Sequence, residues 1–224
     1  MSKPTFPSRL LFLPGALGNR NFWEPLALEL SNRAERVFMA YPGFGDAPAE
    51  PSFSCLEDLV NDVVSRIDRP TALIAQSMGG VIAVKAALRK QDFITHLVLV
   101  ATSAGIDTAK LGAVDWREEF KRKNPHLPDW FASFRSDLTS QLKTIEVPVL
   151  LLWGDCDPLS PVAVGRCLMS HFPDADLHIV PGGEHDLAHR YPHLIAPLIE
   201  MHLARRNRIS IARIQTLENS RFDY

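Results

Sequence analysis

Thr71-Ala-Leu-Ile-Ala75-Gln76-Ser77-Met78-Gly79-Gly80, running on into Val81-Ile-Ala-Val-Lys-Ala-Ala-Leu-Arg-Lys90, is the stretch on which the fold of this chain turns. An apolar run gives way to a helix-forming run, and a serine stands at the junction. An abrupt strand-to-helix turn forces such a serine into a strained backbone conformation and lifts its hydroxyl clear of the sheet. Small residues two positions to either side let strand and helix approach closely enough for the turn. Serine is also a favoured helix N-cap, so these residues taken alone leave two roles open for Ser77.

Outward from this junction, six segments read as buried parallel strands, because each is a short continuous apolar run rather than an alternating one. They are Arg9–Leu13, Arg36–Tyr41, Thr71–Gln76, His96–Ala101, Val147–Trp153 and Asp176–Pro181. Helical patterns lie between most of them: Phe22–Leu30, Cys55–Ile67, Met78–Lys90, Pro161–Phe172 and Pro192–Ala204. The clearest, Cys55–Ile67, carries one apolar stripe, with Ser54 and Glu57 as a capping box at its start and Pro70 beyond its end. Strands alternating with helices imply βαβ units, hence an α/β fold: a mostly parallel sheet of about six strands covered by helices on both faces. One interval breaks the rhythm. Between Ala101 and Val147 lie about 45 residues, far more than a crossover needs. They hold Trp116, Phe120, Trp130, Phe131 and Phe134 among balanced charges. Aromatic density in such an excursion suggests a short helical lid, about 104–146, over the C-terminal strand ends.

The 224 residues, 46% of them hydrophobic, suit one domain with a sizeable core. With 24 Lys and Arg against 26 Asp and Glu, nothing overall points to a nucleic acid. The domain is expected over residues 1–204. A tail, 205–224, holds five arginines against Glu218 and Asp223 and is expected to be poorly ordered. Three cysteines, Cys55, Cys156 and Cys167, have no metal-ligand spacing and an odd count, which argues for a reducing compartment rather than a disulfide framework. Pro14 and Gly15 cut short the apolar Leu10–Leu13 run before it could act as a signal peptide, and no stretch has the length of a membrane span. A cytoplasmic protein without membrane or nucleic-acid partners is the expectation.

A serine hydroxyl is a weak nucleophile unless a base takes its proton and an acid holds that base in the right tautomer. Both types of residue follow later strands at the edge that bears Ser77, where open α/β sheets place their sites. Val147–Trp153 leads into Gly154-Asp155-Cys156-Asp157-Pro158, and Asp176–Pro181 into Gly182-Gly183-Glu184-His185-Asp186. Among His171, His178, His185, His189 and His193, only His185 follows a strand inside a glycine-rich loop. Asp155 and Asp157 both remain candidates for the acid, and Cys156 between them reads as a packing residue.

The order Ser, Asp, His resembles the α/β-hydrolase fold superfamily, and the likeness runs to about residue 204. Leu13-Pro14-Gly15-Ala16-Leu17-Gly18 is similar to its loop after the first central strand. Tyr41-Pro42-Gly43-Phe44-Gly45-Asp46 resembles its Pro-Gly-x-Gly-x-Ser segment, Gly154–Asp157 its Gly-x-x-Asp loop, and Gly183–His185 its Gly-x-His loop. The resemblance implies Ser77 as nucleophile, His185 as base and Asp157, rather than Asp155, as the acid. It also implies the backbone amides of Ala16 and Met78 as oxyanion donors, with Leu17, Phe44, Trp116, Phe120 and Leu159 lining the substrate pocket. No cofactor and no metal are implied, and the partner would be a small-molecule ester or other acyl compound.

Three departures stand out. Ala75 replaces the first elbow glycine, Pro14 replaces the usual histidine of a His-Gly pair, and only eight residues precede the first strand, so the usual N-terminal hairpin is expected to be missing. None removes a catalytic atom. The implied reaction is ester hydrolysis through an acyl-enzyme. Two alternatives remain open: a lyase or carbon–carbon hydrolase of the same fold, with Arg117 and Arg122 holding a carboxylate, or a non-catalytic ligand-binding protein.

Overall fold

A computed structural model describes residues 5–205; of the tail expected over 205–224, Arg205 is described and the rest lies outside the described residues. Six strands form one all-parallel sheet in the order β2-β1-β3-β4-β5-β6. They are β1 (Arg9–Leu13), β2 (Glu35–Phe38), β3 (Thr71–Gln76), β4 (Ile94–Val100), β5 (Val149–Gly154) and β6 (Ala175–Val180). The helices are α1 (Glu24–Glu29), α2 (Leu56–Ser65), α3 (Met78–Arg89), α4 (Arg117–Lys123), α5 (Asp129–Ser133), α6 (Thr139–Leu142), α7 (Val162–His171), α8 (Leu187–Arg190) and α9 (Pro192–Leu203). A short 3₁₀ turn, Arg20–Trp23, starts the segment expected as one helix over Phe22–Leu30.

The continuous apolar runs are explained by burial on both sides. Along β1, β3, β4 and β5, odd-numbered side chains such as Leu11, Leu73, Leu97 and Leu151 meet the α2, α3 and α7 layer. Even-numbered neighbours, Leu10, Ile74, Val98 and Leu150 among them, meet α1, α8 and α9. Successive strand side chains point to opposite faces, so two apolar layers demand an unbroken apolar strand. The edge strands β2 and β6 are less covered.

One local expectation is corrected. The capping box of α2 is built by Cys55 and Asp58, one position beyond Ser54 and Glu57. The Asp58 carboxylate accepts hydrogen bonds from the Ser54 and Cys55 amides at 2.8 and 3.0 Å and from the Ser54 hydroxyl at 3.1 Å. These donors hold its carboxyl below the usual range. Glu57 instead reaches across to Lys85 and Arg89 on α3.

The long excursion after β4 contains α4, α5 and α6 and is tied at both flanks of the C-terminal strand edge. Phe131 is buried against Phe44, Trp116 and Phe120, with ring centroids 5.7, 5.2 and 5.6 Å apart. On the other flank the Val114 amide donates to the Pro158 carbonyl at 3.0 Å, next to Asp157.

Candidate active site

Ser77 stands between the last residue of β3 and the first of α3 with φ 53° and ψ −120°, a conformation costly for any residue but glycine. Several contacts hold it there. Its amide donates to the Val100 carbonyl at 3.1 Å, while its carbonyl accepts from the Gly80 amide at 3.0 Å and from the Thr102 hydroxyl at 2.5 Å. Gly79 and Gly80 are required by proximity. A Cβ at 79 would lie 2.5 Å from the Leu13 and Pro14 carbonyl oxygens, and one at 80 would collide with Thr102. The first turn of α3 therefore presses against the end of β1 and the loop after β4, which fixes the turn from both sides.

Asp157 and His185 arrive from β5 and β6. Their loops are locked together: a Cβ on Gly154 would overlap the Gly183 carbonyl, and the Cys156 amide donates to that same oxygen at 2.9 Å. The Asp157 side chain is fully buried. Its Oδ1 accepts from the Leu159 and Ser160 amides at 2.9 and 3.2 Å, which leaves Oδ2 for His185 Nδ1 at 2.8 Å. An ionised carboxylate can only accept, so Nδ1 carries the proton and Nε2 is free to accept. Nε2 faces Ser77 Oγ at 3.0 Å. A continuous path from hydroxyl to imidazole to buried carboxylate thus joins three residues that lie up to 108 positions apart. Such an arrangement can take a proton from the hydroxyl and stabilise the imidazolium that forms.

Asp155 has a different occupation. Its Oδ1 accepts from the Gly182 amide at 2.6 Å and so ties the loop after β5 to the loop after β6. It also hydrogen-bonds the exposed Cys156 thiol, and together with its charge this pushes the thiol up from its ordinary value, away from the reactive thiolate. Among the other histidines, His178 lies in β6, and His189 Nδ1 meets the Phe22 carbonyl at 3.0 Å.

The loop after β1 is packed against the serine. A Cβ at Gly15 would stand 3.2 Å from Ser77 Cβ, so the loop that carries Ala16 runs against Ser77, and Met78 opens α3 directly after it. Of the five expected pocket residues, Phe44, Trp116 and Phe120 meet around Phe131. Trp116 and Phe120 are half-buried in the aromatic cluster, Leu159 contributes its amide to Asp157, and Leu17 is 58% exposed. Phe44 is fully buried, so its ring is a seat for Phe131 rather than a surface open to a ligand in this conformation. Two residues escaped sequence reasoning: Thr102, which holds the Ser77 carbonyl, and Gln76, whose Nε2 donates to the His185 carbonyl at 3.2 Å. The available signal for Gln76 was a polar residue directly after the apolar run Ala72–Ala75.

Residues 10–134 match the model of the alpha/beta hydrolase family, and the chain belongs to that family as an α/β-fold hydrolase. Its relatives include the pimeloyl-[acyl-carrier protein] methyl ester esterase of Neisseria meningitidis serogroup C, 25% identical over 82% of this chain and 89% of that protein. A shorter match, 36% identical over 39% of this chain and 37% of the relative, is to thioesterase TesA of Mycobacterium marinum. Among solved structures, an esterase from Exiguobacterium antarcticum shares the fold with a TM-score of 0.76 at 16% identity, over 91% of this chain and 94% of that one. Among the described residues, no helix is long and apolar enough to cross a membrane.

Proposed function

We propose that the protein hydrolyses small carboxylic esters or related acyl compounds through an acyl-enzyme formed on Ser77. The observation that carries this reading is the hydrogen-bonded path from Ser77 Oγ through His185 to Asp157. His185 Nε2 takes the hydroxyl proton as Oγ attacks the carbonyl carbon, and the tetrahedral oxyanion is met by the amides of Ala16 and Met78. The imidazolium then gives its proton to the departing alcohol, leaving the acyl group on Ser77. Water, deprotonated by the same imidazole, attacks the acyl-enzyme and releases the acid. Asp157 keeps Nδ1 protonated throughout. Residues 104–146 act as the lid of a single domain spanning 1–204, and their aromatic cluster offers an apolar surface for the acyl chain.

Relatives named as a methyl ester esterase and a thioesterase support an acyl substrate and suggest including acyl-carrier-protein methyl esters and thioesters in a panel. Of the two arginines that the lyase alternative would use, Arg117 pairs with Asp115 at 3.1 Å and lies over the Trp116 ring at 5.2 Å, and Arg122 is exposed on α4. The test combines a fluorophosphonate label with aryl esters and thioesters of graded acyl length. The expected result is labelling at Ser77 in the intact protein, with labelling and turnover both lost in Ser77→Ala and His185→Ala. Turnover retained by Ser77→Ala would overturn the reading.

A further inference from the structure

Gln76 is a buried amide in a place where apolar residues dominate. It ends β3 on the even-numbered face, in line with Ala72 and Ile74 against the α1, α8 and α9 layer, and only 5% of its surface is exposed. Its Nε2 donates to the His185 carbonyl at 3.2 Å. Its Oε1 lies so close to Gly15 that a Cβ there would overlap it. One side chain therefore touches the loop that carries Ala16, the strand that carries Ser77 and the main chain of His185 itself. A buried amide contributes little net stability over an apolar side chain of its shape, whereas its directional bonds set the relative placement of the groups they join.

We propose that Gln76 is a positioning residue, acting through the His185 main chain to set the Nε2–Oγ separation and through Gly15 to seat the Ala16 amide. The proposal rests on the acyl-enzyme reading for its catalytic consequence, but the placement of His185 can be read without turnover. Misplacing reacting groups by about 1 Å costs on the order of 100-fold in rate. Hence Gln76→Leu, which keeps bulk and removes the hydrogen bond, is expected to lower kcat by roughly 10- to 100-fold with KM little changed. A residue that served stability alone would instead lower the melting temperature and leave kcat and the base titration of the folded fraction unaltered. Gln76→Glu is the second variant, matched in shape. When ionised it opposes a carboxylate to the His185 carbonyl, and its charge should raise the apparent basicity of the imidazole.

The experiment records kcat and KM on a short aryl ester across pH, together with the His185 ring titration by NMR, in wild type, Gln76→Leu and Gln76→Glu. Ser77→Ala is run alongside. A fall in kcat at near-constant KM with a displaced His185 titration in folded Gln76→Leu supports the proposal. Wild-type kcat and an unmoved titration in Gln76→Leu overturn it, whatever its melting temperature. If Gln76→Leu does not fold, kcat of Gln76→Glu decides, because its charge moves the titration by itself: a lowered kcat at near-constant KM supports the proposal and wild-type kcat overturns it. If Ser77→Ala still turns over ester, the acyl-enzyme reading falls, and the His185 titration alone decides whether Gln76 positions the imidazole.

Discussion

Asp155 and Asp157 share one loop, two positions apart, yet their carboxylates meet different groups. Asp157 is enclosed, with two amides on Oδ1 and the imidazole on Oδ2, whereas Asp155 is exposed and ties down Gly182. Asp157→Asn should preserve the shape but remove the acceptor that keeps Nδ1 protonated, and kcat should fall by about 10⁴-fold with the melting temperature nearly kept. Asp155→Ala should leave kcat within a few-fold and cost about 1 kcal/mol of stability, the scale of one net hydrogen bond. Steady-state kinetics and urea melts on the pair separate the two roles. Thr102 belongs to the same scale. Its hydroxyl supports the Ser77 carbonyl and accepts from the buried Ala104 amide at 3.0 Å; the carbonyl keeps the Gly80 amide in Thr102→Val, but the Ala104 amide loses its acceptor, at a cost of about 1–3 kcal/mol.

At the scale of the elements, the excursion and α9 respond to different variables. Phe131 is the centre of the aromatic contacts that seat the excursion, and Phe131→Ala should cost about 3 kcal/mol as a core truncation. If those contacts also form the acyl-binding surface, KM for long acyl esters should rise more than KM for acetate esters, which a graded ester series checks. Helix α9 is anchored by His202, buried beneath the sheet with its ring 5.1 Å from that of His96. Burial, the neighbouring His96 and the Arg205 charge push His202 down from 6.5 to about 3. Burial lowers His96 as well. Below about pH 6.5 the unfolded chain takes up a proton that the folded His202 refuses until about pH 3, so the unfolded state binds more protons and stability falls as acid is added. The loss is up to about 1.4 kcal/mol per pH unit within that window for one such group. Urea midpoints at pH 7 and pH 5 should show a smaller acid loss in His202→Leu than in wild type.

Over the whole molecule, the sheet is closed by helices on its faces and its last described residue is tied to its edge. Arg205 pairs with buried Asp174 and with Asp176 of β6, and its carbonyl meets His96 Nε2 at 2.9 Å. Arg205→Ala should lower the unfolding temperature by several degrees, and differential scanning calorimetry of the variant against wild type checks it.

The layered fold was legible in the chain because it depends on local composition. Thr71–Gln76 and Arg9–Leu13 match their strands residue for residue, since a strand buried on both faces announces itself as an apolar run with sharp ends. The bounds of β2, β4, β5 and β6 differ from the expected ones by one to three residues, most at the C-terminal end of the edge strand β2, because strand ends are set by pairing rather than by composition. Ser77 and His185 stood out in the chain by their places after strands in glycine-rich turns, whereas the residues alone left Asp155 and Asp157 open and only the resemblance preferred Asp157; the hydrogen bonds at the strand ends separate the two. What composition could not convey was distance. That Asp155 clasps Gly182, that Thr102 carries the Ser77 carbonyl, that Phe44 is a seat rather than a wall, and that Gln76 touches the loops after β1 and β6 all depend on which segments meet at the strand ends. Hydrophobic periodicity is written into each segment of the chain, whereas a hydrogen bond between residues more than a hundred positions apart exists only once the sheet has brought their loops together.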